Sequence, residues 1–146
     1  MDKKKCIIDK YNTVYGFSLF VIINPDKSVI DKRFAFRQDE SSICDGEWAD
    51  YTAYTVNGAY DKLTDEDCEI IVVNKIWNND NDVNTFAHES FHAAVDILEA
   101  CHIKLSDDTN EVFAYLIGYF TECVNKTASK RWTSLRWALY YIMPTT

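Results

Sequence analysis

The chain has 146 residues, a length that fits one compact domain with its own hydrophobic core. Hydrophobic residues make up 47% of it, and 23 acidic against 15 basic side chains give a formal net charge of −8. This acidic balance argues against a nucleic-acid partner, because domains that bind nucleic acids usually present a basic face to the phosphates. No stretch approaches the roughly 20 apolar residues that a membrane-spanning helix needs, so we expect no membrane partner either.

The cysteine content predicts free thiols rather than a disulfide framework. The chain has five cysteines, an odd number, and no C-x-x-C pair. Secreted domains that are held together by disulfides normally carry an even number. The N-terminal stretch is basic, but Asp9 and Lys10 interrupt the apolar region that a signal peptide requires. We therefore predict a cytoplasmic protein.

The N-terminal part of the chain predicts a hairpin of two strands. Between Val14 and Ile23 every second residue from Tyr15 onward is apolar, which is typical of a half-buried strand. Asn24-Pro25-Asp26 indicates a turn, because proline presets φ and the flanking side chains bond locally. A second strand over Val29 to Phe36 would then complete an antiparallel hairpin.

Further strands are expected before the middle of the chain. The segment from Trp48 to Val56 favours a strand, with a short helix as the alternative. Asn57-Gly58 indicates a turn after it. The residues from Glu69 to Val73 include a continuous apolar run, which predicts a buried strand.

The second half of the chain predicts helices. They run from about Val83 to Cys101, from Asp107 or Asp108 to about Asn125, and from near Ser129 onward. Asp82 or Asn81 is the expected N-cap of the first helix. Strands followed by helices predict a single α+β domain over residues 1–146, with an antiparallel or mixed sheet and then three helices.

The strongest functional signal is the motif His-Glu-x-x-His at His88, Glu89 and His92. On a helix the two histidines share a face, with Cβ atoms about 5–6 Å apart, so both rings can reach one zinc ion. Glu89 follows His88 and lies further round the helix, where it can hold the water that zinc activates and act as general base. The alternative is an ordinary core helix whose histidines are satisfied by hydrogen bonds.

A zinc site needs a third protein ligand, and the sequence offers Glu111. His102 lies ten residues after His92. At the rise of an α-helix this is about 15 Å along the axis, which is too far. Glu111 lies on the next predicted helix, which a short loop folds back against the first. The alternative role for Glu111 is structural, because Asp108-x-x-Glu111 reads like a capping box.

His-Glu-x-x-His, followed on the next helix by a glutamate within an Asn-Glu dipeptide, resembles the gluzincin family of thermolysin-like zinc metallopeptidases. The matching residues lie between Thr85 and Tyr115. The resemblance implies a zincin-like fold in which Glu89 is the catalytic base and Asp96 supports a ligand or the helix. It implies that the zinc ligands are His88, His92 and Glu111. It also implies that a peptide lies along an edge strand ahead of the active helix, here Glu69 to Val73 or its continuation to Trp77.

The chain departs from the family pattern in two respects. The family often has an aspartate four residues after the glutamate ligand, where this chain has Tyr115. Large members also supply the group that stabilises the oxyanion from a separate C-terminal domain. The tyrosines that could take that role here are Tyr115, Tyr119, Tyr140 and Tyr141.

These features predict a zinc-dependent metallohydrolase, a small metallopeptidase that acts on a peptide or protein substrate. Zinc would lower the pKa of its water, Glu89 would take the proton, and the hydroxide would attack the carbonyl. One alternative is a catalytically inactive zincin-like protein that serves as a binding or scaffold protein. Another is a metal-free interaction domain with an aromatic surface. The intact Glu89 favours the enzyme, because a purely structural zinc site has no use for a base.

Overall fold

The computed structural model describes residues 4–132, which form an α+β fold with one five-stranded mixed sheet and three helices. The α+β class predicted from the sequence is therefore confirmed. The elements are β1 (Ile7–Asn12), β2 (Ser18–Ile23), α1 (Lys27–Arg33), β3 (Phe34–Phe36), β4 (Ala53–Asp61), β5 (Glu66–Val73), α2 (Asp80–Ala100) and α3 (Asn110–Ser129). Short 3₁₀ turns cover Trp48–Asp50 and Lys130–Trp132.

The strand order in the sheet is β1-β2-β5-β4-β3. β2 and β5 pair in parallel, and the other neighbouring strands pair antiparallel. β3 pairs only with Ala59–Asp61 at the end of β4. Among the described residues, the first part of β4, Ala53–Val56, therefore has no strand partner on its outer side.

The predicted hairpin between β2 and a strand over Val29 to Phe36 is wrong. β1 is the antiparallel partner of β2, whereas Lys27–Arg33 forms α1 and only Phe34–Phe36 is extended, at the opposite edge of the sheet. The cause lies at Asp26, whose side chain accepts a hydrogen bond from the backbone N–H of Ser28 and caps α1.

Two expectations about the middle strands also need correction. Asn57-Gly58 is a β-bulge within β4, where the register shifts between Val56 and Ala59 and Gly58 has a φ of 81°. The predicted strand over Glu69 to Val73 is confirmed as part of β5, but it lies in the centre of the sheet and not at an edge. Its continuous apolar run explains this, because a central strand covered on both faces buries every side chain.

The core has two layers, one on each face of the sheet. Successive side chains along β2 and β5 point alternately into one layer and the other. One face packs against α2 and α3, and its buried residues include Leu19, Val21, Ile71, Val73, Ala94, Ile97, Phe113 and Phe120. The other face is covered by α1 and the segment before β4, with Phe20, Ile22, Ile30, Phe34, Ile43, Ile70 and Val72.

Helices α2 and α3 run antiparallel across the first face. The guanidinium of Arg131, just after α3, donates to the side-chain oxygen of Asn78, just before α2, over 2.5 Å. The end of α3 therefore meets the start of α2. No helix within residues 4–132 is long and apolar enough to cross a lipid bilayer.

The helix boundaries differ from the sequence prediction at their caps. The N-cap of α2 is Asn79, whose side chain accepts from the N–H of Asn81, so the prediction of Asn81 or Asp82 is wrong. The N-cap of α3 is Thr109, and its side chain makes no capping bond, so the capping box that begins at Asp108 does not form. Ser129 is the last residue of α3, and most of the third predicted helix lies outside the described residues.

Candidate metal centre

The two histidines of the motif point at each other from successive turns of α2. The Nε2 atoms of His88 and His92 are 3.1 Å apart, and the ring centroids are 4.8 Å apart. Two imidazole nitrogens on one tetrahedral zinc ion, each at 2.0–2.1 Å from it, are separated by about 3.3–3.4 Å. The ring nitrogens of this chain are therefore already near the spacing that a shared ion requires.

Both histidines lie on the solvent side of α2. Ser90, Ala93 and Ile97 on the same helix are buried against the sheet, whereas His88 and His92 are exposed. Because the helix turns by about 100° per residue, His88 and Ser90 lie on opposite faces. The pair is therefore open to water and does not lie in the core, although its 3.1 Å contact is within the distance of a hydrogen bond between the two rings.

Glu89 lies between the histidines in sequence but faces the sheet. Its side chain is only 8% exposed, and its Oε2 accepts a hydrogen bond from Thr55 Oγ1 on β4 over 2.6 Å. The same hydroxyl is 3.1 Å from the backbone carbonyl of Glu89. A hydroxyl has one proton, and the shorter contact to the charged acceptor takes it. The carboxylate is thereby held against β4.

The structure does not bring Glu111 to the histidine pair. Ala100, the last residue of α2, is eight residues beyond His92, which at about 1.5 Å per residue is about 12 Å along the axis. Glu111 is exposed in the first turn of the antiparallel α3, near that far end. Among residues 4–132, no group of three or more His, Cys, Asp or Glu side chains could hold a metal ion. Glu111 as a zinc ligand stays a prediction from the resemblance.

Glu111 and Tyr115 instead line a shallow groove on α3. The groove has a volume of about 430 Å³ and is lined by Glu111, Ala114, Tyr115, Gly118, Tyr119 and Glu122. Neither histidine of the motif belongs to it, and Tyr115 is 79% exposed. Tyr140 and Tyr141 lie outside the described residues.

Asp96 lies next to a carboxyl group that no motif in the sequence marks. Its partner is Glu69 of β5, which is 3% exposed on the face of the sheet that packs against α2. Burial, followed by the hydrogen bond with Asp96, raises the pKa of Glu69 to about 10. The sequence does carry a sign of this group. Glu69 is two residues before Ile71 and four before Val73, so it shares their face of a buried strand, where an ionised side chain costs free energy.

The remaining histidine has no part in the site. His102 follows the end of α2 with a φ of 61° and is exposed. The five cysteines, Cys6, Cys44, Cys68, Cys101 and Cys123, are all free thiols. Comparison with known proteins found no matching family model, no similar curated protein and no similar solved structure.

Proposed function

We propose that the chain is a zinc-dependent metallohydrolase with a zincin-like arrangement, acting as a small metallopeptidase. The observation that carries the proposal is the 3.1 Å separation of the Nε2 atoms of His88 and His92, with Glu89 between them in sequence. Imidazole nitrogens suit zinc in ligand type, and their spacing suits its geometry. The exposed position of the pair leaves room for water and a substrate carbonyl.

The chain's own residues would do the following in hydrolysis. Zinc, when bound, supplies a Lewis acid that polarises a carbonyl and lowers the pKa of water. Glu89 would accept the proton of the attacking water and pass it to the leaving amine. Thr55 fixes one oxygen of that carboxylate. The other oxygen, Oε1, has no hydrogen-bond partner among the described residues and would be the one that handles the proton.

The unpartnered edge of β4 supports a peptide as the substrate. Ala53–Val56 has no neighbouring strand on its outer side among the described residues. An extended peptide can add to such an edge through main-chain hydrogen bonds. Because Thr55 belongs to this segment and touches Glu89, an added peptide would lie next to the proposed base.

Zinc binding is tested by metal stoichiometry and affinity in the purified protein. We expect one zinc ion in the wild type, and an affinity at least about tenfold lower in His88→Gln and in His92→Gln. His102→Asn is the matched control, because that histidine is exposed and asparagine tolerates its φ of 61°. Zinc binding that is equal in all four proteins would defeat the site.

A further variant tests the third ligand. If Glu111 completes the site, Glu111→Gln lowers the zinc affinity by at least about tenfold as well. Glu122→Gln is the control, since Glu122 is an exposed acid on the same helix and lines the same groove. Unchanged affinity in Glu111→Gln would remove Glu111 from the site and leave the two histidines as the protein ligands.

Turnover is tested by a peptidase assay on zinc-loaded wild type and Glu89→Gln. We expect hydrolysis by the wild type and a loss of about 10²-fold or more in the variant, the usual contribution of a general base. The alternative function is an inactive zincin-like binding or scaffold protein. It is favoured by the fact that only two of the three expected ligands converge within the described part of the chain. Equal, negligible turnover in both proteins would support it.

A further inference from the structure

A pair of acids forms a buried polar contact between the sheet and α2. Glu69 of β5 is 3% exposed, and its Oε1 faces no hydrogen-bond donor. Its polar neighbour is the carboxyl of Asp96, which is itself an acceptor when ionised. Two carboxylates in contact cannot both ionise unless a cation lies between them. When no cation is bound, one proton shared by the two carboxyl groups prevents both from being ionised.

A cavity of about 180 Å³ adjoins this pair, and the bulge of β4 forms part of its lining. Asn57 and Gly58 at the bulge are exposed, and a Cβ added to Gly58 would meet no atom within 4 Å. The cavity wall is largely apolar and includes Phe17, Ile97 and Ala100. One water needs about 10–15 Å³ of such a cavity, so this volume has room for a molecule larger than water.

Arg37 lines the same cavity, but its guanidinium already forms ion pairs with other acidic residues. Arg37 donates from Nε to Asp67 over 2.8 Å and from Nη1 to Asp65 over 2.7 Å. Its guanidinium also lies 4.2 Å from the ring centroid of Tyr60. Arg37 therefore does not neutralise Glu69 and Asp96, and a cation from solvent can take the place of the shared proton.

We propose that this cavity binds a primary ammonium group on a short aliphatic chain, with the ammonium between the carboxyl groups of Glu69 and Asp96. An ammonium presents three N–H donors, which suits two facing acceptors. The chain of a lysine side chain or a free alkylamine would pack against the apolar wall. The ammonium takes the place of the shared proton, so binding releases up to one proton to solvent and charge is balanced.

A metal ion fits the same place less well. Calcium takes six to eight oxygen ligands, and magnesium demands an octahedron. Within residues 4–132 no group of three or more acidic, histidine or cysteine side chains could surround an ion. An organic cation needs fewer polar contacts, and the apolar wall of the cavity contributes to its binding.

The test is an amide NMR titration of the full chain with n-butylammonium chloride at constant ionic strength, with n-butanol as a neutral control of equal size. We expect saturable shifts at Gly58, Ile97 and Ala100 with a Kd on the order of 1 mM, and little response to n-butanol. Calorimetry in two buffers of different ionisation enthalpy should show proton release. Equal shifts with n-butanol, or no saturation, would overturn the proposal.

Variants connect the binding to the acid pair. Asp96→Asn and Glu69→Gln keep the side-chain shape, and each should weaken n-butylammonium binding at least about tenfold. Thermal melts of both variants test whether they fold. Glu99→Gln, an exposed acid one turn after Asp96, should leave the affinity unchanged. Equal weakening in all three would mean non-specific attraction to an acidic chain and would contradict the proposal.

Two further ligands distinguish the source of the amine. Tighter binding of an N-acetylated lysine amide than of 1,4-diaminobutane would identify a lysine side chain, and the reverse would identify a free amine. Either result supports the ammonium site. Calcium chloride that shifts the same amides at lower concentrations than n-butylammonium would overturn the proposal in favour of a metal ion.

Discussion

The hydroxyl of Thr55 on β4 donates a hydrogen bond to the carboxylate of Glu89 on α2 over 2.6 Å. This contact joins Ala53–Val56, which has no outer strand partner within residues 4–132, to the His-Glu-x-x-His motif. Glu89 is 8% exposed, so few of its hydrogen bonds can come from water and the one from Thr55 matters more than it would on a surface side chain. The contact fixes the position of the Glu89 carboxylate relative to β4.

The first prediction concerns that hydrogen bond. Thr55→Val keeps the shape of the side chain but removes the donor, and it should lower the free energy of unfolding by about 1–3 kcal/mol, because a buried carboxylate loses a partner. Thr55→Ser keeps the hydroxyl and should cost less. Urea unfolding of the three proteins measures the difference. A valine variant as stable as the wild type would show that Thr55 does not support Glu89.

The second prediction concerns the pH dependence of stability. Burial and Asp96 raise the pKa of Glu69 from its ordinary value of 4.5 to about 10. Between these values the folded chain keeps a proton that the unfolded chain releases, so the free energy of unfolding falls as pH rises. The contribution of one proton is about 1.4 kcal/mol per pH unit. The stabilisation from this proton is complete below the pKa of Glu69 in the unfolded chain, and it is lost as pH rises through the pKa of Glu69 in the folded chain.

Glu69→Gln should remove this slope, since the amide donates to Asp96 without titrating. We expect the variant to be more stable than the wild type at pH 8, and the two to approach each other towards pH 5. Chemical denaturation at several pH values measures the curves, and Glu99→Gln, an exposed acid on α2, should run parallel to the wild type. Parallel curves for Glu69→Gln and the wild type would contradict the raised pKa.

The third prediction concerns the start of α2. Asp82 is 8% exposed and accepts from the backbone N–H of Trp77 over 2.8 Å and of Asn78 over 2.7 Å. Asp82→Ala should cost about 2–3 kcal/mol, because two N–H groups lose a charged acceptor. Asp82→Asn keeps one acceptor and should cost about half of that. Asp80→Asn, an exposed acid in the same turn, is the control, and an equal cost there would contradict a specific role for Asp82.

The fourth prediction compares two glycines. Gly58 in the bulge of β4 has a φ of 81°, and a Cβ there would meet no neighbour, so Gly58→Ala should cost roughly 1–2 kcal/mol from backbone conformation alone. Gly118 in α3 also has open space. Its helical backbone accepts alanine, and Gly118→Ala should stabilise by about 0.5–1 kcal/mol. Thermal unfolding that shifts in the same direction for both variants would contradict this assignment.

The sequence predicted the elements whose patterns are long and regular. The helical period of α2, the broad apolar face of α3 and the apolar run of β5 all led to correct elements. The spacing of His88 and His92 also predicted their convergence, because both lie on one helix and no long-range contact is needed.

The errors lie where distant parts of the chain decide the outcome. The pattern from Val29 to Phe36 predicts a strand, but capping by Asp26 outweighs it and most of the segment forms α1. The Asn-Gly pair became a bulge because β4 continues through it to reach β3. Glu69 and Asp96 are far apart in sequence, and only the packing of α2 on the sheet brings them together. The separation of Glu111 from the histidines likewise depends on how far α2 extends beyond His92.

The parallel pairing of β2 with β5 has a consequence for how the chain folds. Ser18 lies opposite Cys68, and Ile23 lies opposite Val73, so the centre of the sheet joins segments from distant parts of the sequence. Closing such a loop costs entropy before any contact compensates for it. During synthesis the apolar edge of β2 has no partner until β5 has left the ribosome. We therefore expect slow folding.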